Sequence, residues 1–224
     1  MKTLILCLLL LTTVIFAQTK EDLVKNIDEL KKSGNNPVVV FEIDDVLLDK
    51  SQRINKIIEQ WFAKNAPKTV ESLKTLPNLT IENFKEQLIS IKFKDEKKLT
   101  ELQTFIDTSI ANGDICQYDI AKEKSVEYIS NLHKKGVLIV YLSQRDINTL
   151  PQSVSSLKKE GFPIGEANTM IILKNSADST FAFKKSSLAK IINYGELVAI
   201  FENDTELNNK LNLTFKNIMF LKGF

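Results

Sequence analysis

One stretch of sequence decides the fold class, and it reads Val38-Val39-Val40-Phe41-Glu42-Ile43-Asp44-Asp45-Val46-Leu47-Leu48-Asp49. Its first half is an apolar run rich in β-branched residues, which predicts a strand buried on both faces. Its second half crowds carboxylates, and such like charges repel unless a cation or a reaction uses them. In open parallel sheets, ligands bind beyond the carboxyl ends of the strands. The stretch therefore predicts a strand that presents Glu42 and Asp44 to a metal ion, a phosphate group or both.

The rest of the chain alternates short apolar runs with helical patterns. Further strands are predicted at 137–142, 169–173, 197–201 and 217–221. Helices are predicted at 20–33, 51–63, 121–134, 151–160, 185–193 and 204–211. Such alternation is typical of a parallel sheet covered by helices on both faces. The pattern therefore predicts the α/β fold class without reference to any known family.

The opening stretch resembles motif I of the haloacid dehalogenase (HAD) superfamily, in the form used by secreted acid phosphatases. These are the bacterial class B and C enzymes and the plant vegetative storage proteins. On that pattern Asp44 falls on the general acid/base and Asp45 on an additional Asp. Glu42 stands at the nucleophile position, where the pattern has Asp, and Val46 stands where it has Thr. The resemblance implies a HAD-like Rossmannoid parallel sheet with an inserted helical cap, and Mg²⁺-assisted attack of a carboxylate on a phosphomonoester.

Two later segments resemble motifs II and III in the expected order. Ser143-Gln144-Arg145-Asp146 follows the predicted strand 137–142, and the resemblance assigns phosphate binding to Ser143 and Gln144. A hydroxyl followed by free backbone N–H groups at a strand end suits phosphate oxygens. Motif III requires a lysine, because an ammonium group neutralises the charge of nucleophile and phosphate. We prefer Lys185 for that role and keep Lys184 as the alternative.

The fourth motif is altered, as the first is. Glu202-Asn203-Asp204-Thr205-Glu206 follows the predicted strand 197–201, and Asn203 stands where the pattern has its metal-binding Asp. A shift of one residue would place Asp204 there instead. The resemblance thus implies a catalytic set of Glu42, Asp44, Ser143 and Lys185. The implied phosphate ligands are Ser143, Gln144 and Lys185. The implied Mg²⁺ ligands are Glu42, Asp44, Asn203 and Asp204.

The departures from the motifs predict weak catalysis. Glu42 adds one methylene and moves the attacking oxygen by about 1 Å, which can cost about a hundredfold in rate. Asn203 removes a charge from a site for Mg²⁺, which requires near-ideal octahedral oxygen geometry. We expect phosphomonoesterase activity to be lost or strongly reduced, leaving a binding or storage-like protein for a small phosphorylated or acidic ligand. The alternatives are an active Mg²⁺-dependent phosphomonoester hydrolase that uses the altered motif, and a purely structural or interaction role through the cap.

The organisation of the chain follows from its two ends and its middle. Residues 1–17 predict a secretory signal peptide, because Lys2 precedes an apolar run that ends at Ala17. An uncleaved anchor is the alternative, although the run falls short of the roughly 20 residues of a membrane span. Residues 18–64 and 116–224 are predicted to form the core domain. Residues 65–115 form a helical cap insertion or a helical elaboration without a substrate role.

Composition limits the partners and the compartment. The chain has 224 residues and a formal net charge of +2, which gives no reason to expect nucleic acid or a membrane surface as a partner once the signal is removed. The mature part would keep Cys116 as its single thiol, so an internal disulfide is excluded. We therefore expect a secreted or extracytoplasmic protein that depends on its hydrophobic core.

Overall fold

A computed structural model of the chain describes residues 18–77, 79–175 and 177–224. The predicted signal segment 1–17 lies outside the described residues. The helices are α1 Lys20–Lys32, α2 Ser51–Asn65, α3 Val70–Leu73, α4 Phe84–Ser90, α5 Glu96–Ala111, α6 Ser125–Lys134, α7 Leu150–Lys159, α8 Thr180–Ile191 and α9 Thr205–Thr214. The strands are β1 Pro37–Glu42, β2 Leu48–Asp49, β3 Ile120–Ala121, β4 Leu138–Asp146, β5 Thr169–Lys174, β6 Glu196–Phe201 and β7 Met219–Leu221. Within the described ranges, no helix is both long and apolar enough to cross a bilayer.

The central sheet has five parallel strands in the order β5-β4-β1-β6-β7. Strand β1 lies in the middle, and its neighbours are β4 and β6. In the register of these pairs Glu42 lies opposite Leu142, and Phe41 lies opposite Phe201. The predicted α/β class and the parallel sheet are confirmed. All five strands end at the same edge, where most of the predicted site residues meet.

Strand β1 lies at the centre of the sheet, and every one of its residues is buried. Successive side chains of a strand point to opposite faces of the sheet. Val39 and Phe41 pack in one hydrophobic cluster with residues of α1, α6 and α7. Val38 and Val40 pack in the other cluster with residues of α8 and α9. Helices therefore cover both faces, as the unbroken apolar run predicts.

The insertion after β2 has a hydrophobic cluster of its own. The cluster joins apolar side chains of α2, such as Ile57 and Phe62, to side chains of α3, α4 and α5. Helix α2, which the sequence analysis assigned to the core domain, thus shares its packing with residues 65–115. At the base of the insertion β2 and β3 pair in antiparallel orientation. The chain therefore leaves and re-enters the core side by side.

Helix α8 begins five residues earlier than the predicted 185–193. The Ser179 side chain accepts a hydrogen bond from the Ala182 backbone N–H at 3.3 Å and caps the helix. Serine is a preferred N-cap residue because its oxygen pairs with one of the free donors of the first turn. As a result Lys184 and Lys185 both lie within the helix rather than at its start.

The core assignment predicts a large contrast between two substitutions. Phe41 is fully buried and stacks on Phe201 with ring centroids 4.6 Å apart. Phe41→Ala should lower the free energy of unfolding by about 3–5 kcal/mol, because it leaves a cavity in the sheet packing. Leu213→Ala, at a residue that is 78% exposed, should change it by less than about 0.5 kcal/mol. Urea denaturation followed by circular dichroism measures both, and similar effects would contradict the assigned core.

Candidate functional site

The carboxyl ends of β1, β4 and β6 line a pocket of about 440 Å³. The insertion covers this pocket with Ile81, Asp107, Ile110 and Ala111. The core contributes Glu42, Asp44, Asp45, Lys50, Gln144, Arg145, Glu202, Asn203 and Asp204. Most of the sequence-predicted site residues therefore meet at one edge of the sheet, where strand ends of an α/β fold hold ligands.

Glu42 and Glu202 form the first charged centre of the pocket. They lie on neighbouring parallel strands, one residue beyond the paired Phe41 and Phe201. Each is only 6% exposed. The ammonium group of Lys184, from α8, contacts a carboxylate oxygen of both residues. One cation is therefore shared by two buried carboxylates, and the trio carries one excess negative charge when all three groups are ionised.

This arrangement shifts two pKa values. Burial raises the pKa of Glu42 above its ordinary value, and the attraction of Lys184 only partly opposes that effect. The carboxylate of Glu202 adds a further upward push to the pKa of Glu42. Burial alone would lower the pKa of Lys184, but the charges of Glu42 and Glu202 raise it above its ordinary value. Lys184 is therefore charged at neutral pH.

We preferred Lys185 as the lysine of the site, but that was wrong: Lys184 is the lysine that reaches the strand ends. Lys185 is exposed, and its ammonium nitrogen lies 5.9 Å from the ring centroid of Phe181. Lys184 is buried together with Ser187, Leu188 and Ile191 on the face of α8 that packs on the sheet. The signal was present in the sequence, because residues 184, 188 and 191 follow helical spacing. The earlier start of α8 made that face hard to recognise.

Asp44 forms the second charged centre, and two arginines hold it. Arg145 donates to Asp44 through Nε at 2.9 Å and through Nη2 at 2.8 Å. Arg53 donates to the same carboxylate through Nη2 at 3.0 Å. Burial would raise the pKa of Asp44, but the two guanidinium groups outweigh burial and hold it well below its ordinary value. Asp44 is therefore an ionised carboxylate over the whole neutral range.

The two arginines also hold Asp119, which completes a closed ring of four charges. Arg53 Nε lies 3.1 Å from Asp119 Oδ1, and Arg145 Nη2 lies 2.7 Å from Asp119 Oδ2. Arg53 and Asp119 are fully buried, and Arg145 is 3% exposed. Two positive and two negative charges therefore balance within the protein. A buried ion pair of this kind requires such mutual pairing, because an unpaired charge there is costly.

Sequence reasoning gave no role to Arg53, Arg145 or Asp119. Arg53 carried the clearest signal, because it precedes Ile57 and Trp61 at four-residue spacing on the apolar face of α2. An arginine on such a face is either exposed at its head or paired inside. Asp119 gave no local signal, since its partners are 66 and 26 residues away in sequence.

Ser143 and Gln144, the predicted phosphate ligands, lie at the pocket in different ways. Ser143 is fully buried; its hydroxyl donates to Asp44 Oδ2 at 3.4 Å and accepts from the Arg145 backbone N–H at 3.2 Å. Gln144 is exposed, lines the pocket and accepts a hydrogen bond from Thr180 Oγ1 at 2.8 Å. The Ser143 hydroxyl therefore donates to Asp44 and does not face the pocket. Of the two residues, only Gln144 lines the pocket.

Asn203 and Asp204 line the pocket with side chains that bind backbone groups. Asn203 Nδ2 donates to the Asp45 carbonyl at 2.9 Å, and Asn203 Oδ1 accepts from the Gly223 N–H at 2.9 Å. Asn203 thus ties the loop after β1 to the C-terminal residues. Asp204 caps α9, because its carboxylate accepts from the Leu207 N–H at 2.9 Å. Both predicted metal ligands therefore hold the fold together.

The residues of the site do not fit the magnesium ion that the resemblance implies. Mg²⁺ requires several oxygen ligands in near-octahedral geometry. Glu42 is paired with Lys184, Asp44 with two arginines, and the oxygens of Asn203 and Asp204 accept backbone hydrogen bonds. In the part of the chain that the structure describes, no group of three or more His, Cys, Asp or Glu side chains is arranged to hold a metal ion. The side chains predicted to hold the ion are therefore engaged with cations or backbone groups of the protein.

Comparison with known proteins gives similarities in structure. No protein-family model matches the sequence, and no curated protein matches it. The chain is similar to a class C acid phosphatase from Bacillus anthracis, with 16% identity and a TM-score of 0.45 over 88% of this chain and 73% of that one. It is also similar to a protein described as a haloacid dehalogenase-like hydrolase from Burkholderia xenovorans LB400, with 12% identity and a TM-score of 0.48 over 84% and 82%.

A third similar structure is a protein described as a phosphoglycolate phosphatase from Lactobacillus delbrueckii subsp. bulgaricus. Its identity is 14% and its TM-score 0.47, over 84% of this chain and 85% of that one. All three TM-scores lie below 0.5, so the chemistry of this chain rests on its own side chains.

Lys184 and its neighbour provide a matched test of the first charged centre. Lys184→Met leaves Glu42 and Glu202 buried side by side without a cation, and should lower the free energy of unfolding at pH 7 by about 3–5 kcal/mol. Lys185→Met should change it by less than about 0.5 kcal/mol, because that side chain is exposed. Urea denaturation measures both.

The loss caused by Lys184→Met should shrink as the pH falls from 7 towards 5. The pKa of Glu42 is raised in the folded state, so protonation favours folding and relieves the repulsion with Glu202. Equal effects of the two substitutions, or a loss that grows at lower pH, would contradict the assignment of Lys184.

Proposed function

We propose that this protein is a secreted, HAD-like, acid-phosphatase-like protein whose phosphomonoesterase activity is lost or strongly reduced. It acts as a binding or storage-like protein on a phosphatase-type scaffold. The single observation that carries the proposal is that Glu42 and Asp44, at the nucleophile and acid/base positions, are both held by cations of the protein itself. Its export rests on the composition of residues 1–17.

The ion pairs of Asp44 argue against general acid catalysis. A general acid works best when its pKa lies near the operating pH, because it must carry a proton and release it during the reaction. Arg145 and Arg53 hold the pKa of Asp44 well below its ordinary value. At neutral pH this residue therefore has no proton to give to a leaving group. Its carboxylate oxygens accept hydrogen bonds from both guanidinium groups.

The position of Glu42 argues against nucleophilic attack. An attacking carboxylate must reach the phosphorus atom, and a displacement of about 1 Å can cost about a hundredfold in rate. Glu42 shares the Lys184 ammonium with Glu202, so two carboxylates already balance this ammonium before a phosphate approaches. The side chains predicted to hold Mg²⁺ are engaged with other groups of the protein, which also argues against a metal ion that could supply the missing charge.

The charges around the pocket disfavour binding of a phosphate dianion. Among the lining residues six are acidic, namely Glu42, Asp44, Asp45, Asp107, Glu202 and Asp204, whereas Lys50 and Arg145 are basic. Like charges repel at these distances, and the repulsion is stronger where water is partly excluded. Of the two expected roles, the storage-like role is therefore better supported. Binding of a small phosphorylated or acidic ligand stays a prediction. Titration calorimetry with inorganic phosphate measures that binding.

An active hydrolase is the second candidate, and one observation favours it. Glu42 lines the pocket and contacts Lys184, so the nucleophile position and a lysine do meet at the strand ends. An enzyme that attacks phosphate with a carboxylate needs that proximity. This candidate requires Glu42 to leave Lys184 partly and to reach the substrate.

The rate of aryl phosphate hydrolysis with Mg²⁺ separates the two candidates. We expect the protein to turn over no faster than its Glu42→Gln variant, because neither can complete the attack. Glu42→Gln is a suitable reference, since Lys184 keeps Glu202 as a one-to-one partner and the variant should fold as well as the parent at pH 7. An active class C acid phosphatase serves as the positive control.

Robust Mg²⁺-dependent turnover, comparable to that of the positive control and abolished by both Glu42→Gln and Asp44→Asn, would overturn the proposal. Asp45→Asn is the matched control for Asp44→Asn, because Asp45 is exposed and has a left-handed backbone (φ 63°) that asparagine tolerates. In an active enzyme Asp45→Asn would retain most of the turnover that Asp44→Asn removes.

A further inference from the structure

We propose that the ring of Arg53, Arg145, Asp44 and Asp119, here named the ionic latch, fastens the insertion over the pocket. Arg53 is its positioning residue, because it is the member carried by the helix that packs with the insertion. The latch controls access to the pocket whether or not the protein is an enzyme. This inference is therefore independent of the proposed loss of activity.

The four members of the latch come from both sides of the insertion. Arg53 lies in the first turn of α2, whose apolar side chains pack in the hydrophobic cluster of the insertion. Asp119 lies in the return connection, directly before β3. Asp44 and Arg145 lie at the ends of β1 and β4 in the central sheet. The ring thus joins the outgoing connection, the returning connection and the core at one point.

The return connection is itself anchored to the core. Ser156 Oγ, from α7, donates to the Cys116 carbonyl at 3.0 Å. Lys159 Nζ, also from α7, donates to the Gln117 carbonyl at 2.8 Å. Asp119 is therefore fixed to the sheet and α7. Arg53, on the helix that packs with the insertion, is the member of the ring that connects the insertion to them.

The other ion pair at the start of α2 is weak by comparison. Lys50 lies 2.5 Å from Asp45, but the Asp45 side chain is 51% exposed. Exposed pairs contribute little, because water screens them and both side chains lose freedom. Arg53 has no exposed surface and contacts two carboxylates, so its removal would leave Asp44 and Asp119 with one guanidinium between them. The buried ring is therefore the stronger attachment.

Opening of the latch would change access to the pocket. Ile81, Ile110 and Ala111 of the insertion form the apolar wall that faces the charged strand ends. These residues move with α2 if the insertion swings as a unit, because they pack on the same cluster or follow it in the chain. Under this proposal, a ligand larger than the present opening enters the pocket only after Arg53 separates from Asp44 and Asp119.

Cys116 is a built-in reporter of this separation. Its thiol is 2% exposed and accepts a hydrogen bond from Arg53 Nη1 at 2.9 Å. The chain holds one other cysteine, Cys7, so a Cys7→Ser background leaves Cys116 as the single thiol. A thiol reagent reacts with a buried cysteine only when local or global opening exposes it. The labelling rate therefore reports openings that expose Cys116, and its change on loss of Arg53 reports the contribution of the latch.

The experiment compares the labelling rate of Cys116 in two variants of α2, across low urea concentrations. Arg53→Met should accelerate labelling by about a hundredfold or more, because it leaves a buried negative charge without its partner. Lys64→Met is the matched control, since Lys64 lies on the same helix and its side chain is exposed. It should leave the rate unchanged.

Two further features distinguish the latch from a general loss of stability. The Arg53→Met rate should depend far less on urea than global unfolding does, because local opening exposes little surface. Loss of the Arg53 charge would raise the pKa of the Cys116 thiol further and slow its reaction. Acceleration therefore cannot come from thiol chemistry. Equal rates in the two variants, or a urea dependence equal to that of global unfolding, would overturn the proposal.

A double variant tests whether the four charges act as one ring, even if Arg53→Met folds poorly. Arg53→Met with Asp119→Asn restores a balanced pair of Arg145 and Asp44. The double variant should label more slowly than the product of the two single effects predicts, because partners in one network are not additive. Strictly multiplicative effects would contradict the ring.

Discussion

Two carboxylates at the ends of neighbouring parallel strands share one buried ammonium group, and the rest of the site is arranged around that contact. The parallel register places Glu42 and Glu202 side by side, so the fold itself creates the repulsion. Burial increases the repulsion, because little water remains to screen it. Lys184 from α8 resolves it, and in doing so it fixes α8 against the carboxyl ends of the strands. The site therefore begins with a cation that balances two carboxylates which the sheet brings together.

The second centre follows the same logic. Asp44 projects from the central strand into a partly buried space, and Arg145 and Arg53 surround its carboxylate. In a working catalyst the charged groups are aimed at the place where charge develops in the substrate. Here they are aimed at one another, and the hydrogen-bonding capacity of the site is used inside the protein. This pairing supports the proposal that the pocket between core and insertion persists without the chemistry that its sequence motifs resemble, because its charged residues stabilise the fold.

The fold was predictable because its signals are local. Apolar runs followed by helical patterns gave the strands in order, and the unbroken run at 38–41 gave a strand buried on both faces. The positions of Glu42 and Asp44 followed from the same run, since parallel strands end at one edge. The ring through Asp119 could not be predicted, because its partners meet only in three dimensions. The structural role of Asn203 could not be predicted for a related reason: its amide binds two backbone groups that are distant in sequence.

The most direct test of this account is a crystal structure of the protein grown with Mg²⁺ and soaked in inorganic phosphate. The account predicts that the Lys184 ammonium remains between Glu42 and Glu202, and that neither Glu42 nor Asn203 coordinates a metal ion. A magnesium ion held by Glu42 together with Asp44 or Asp204, with phosphate seated beside Ser143, would contradict it.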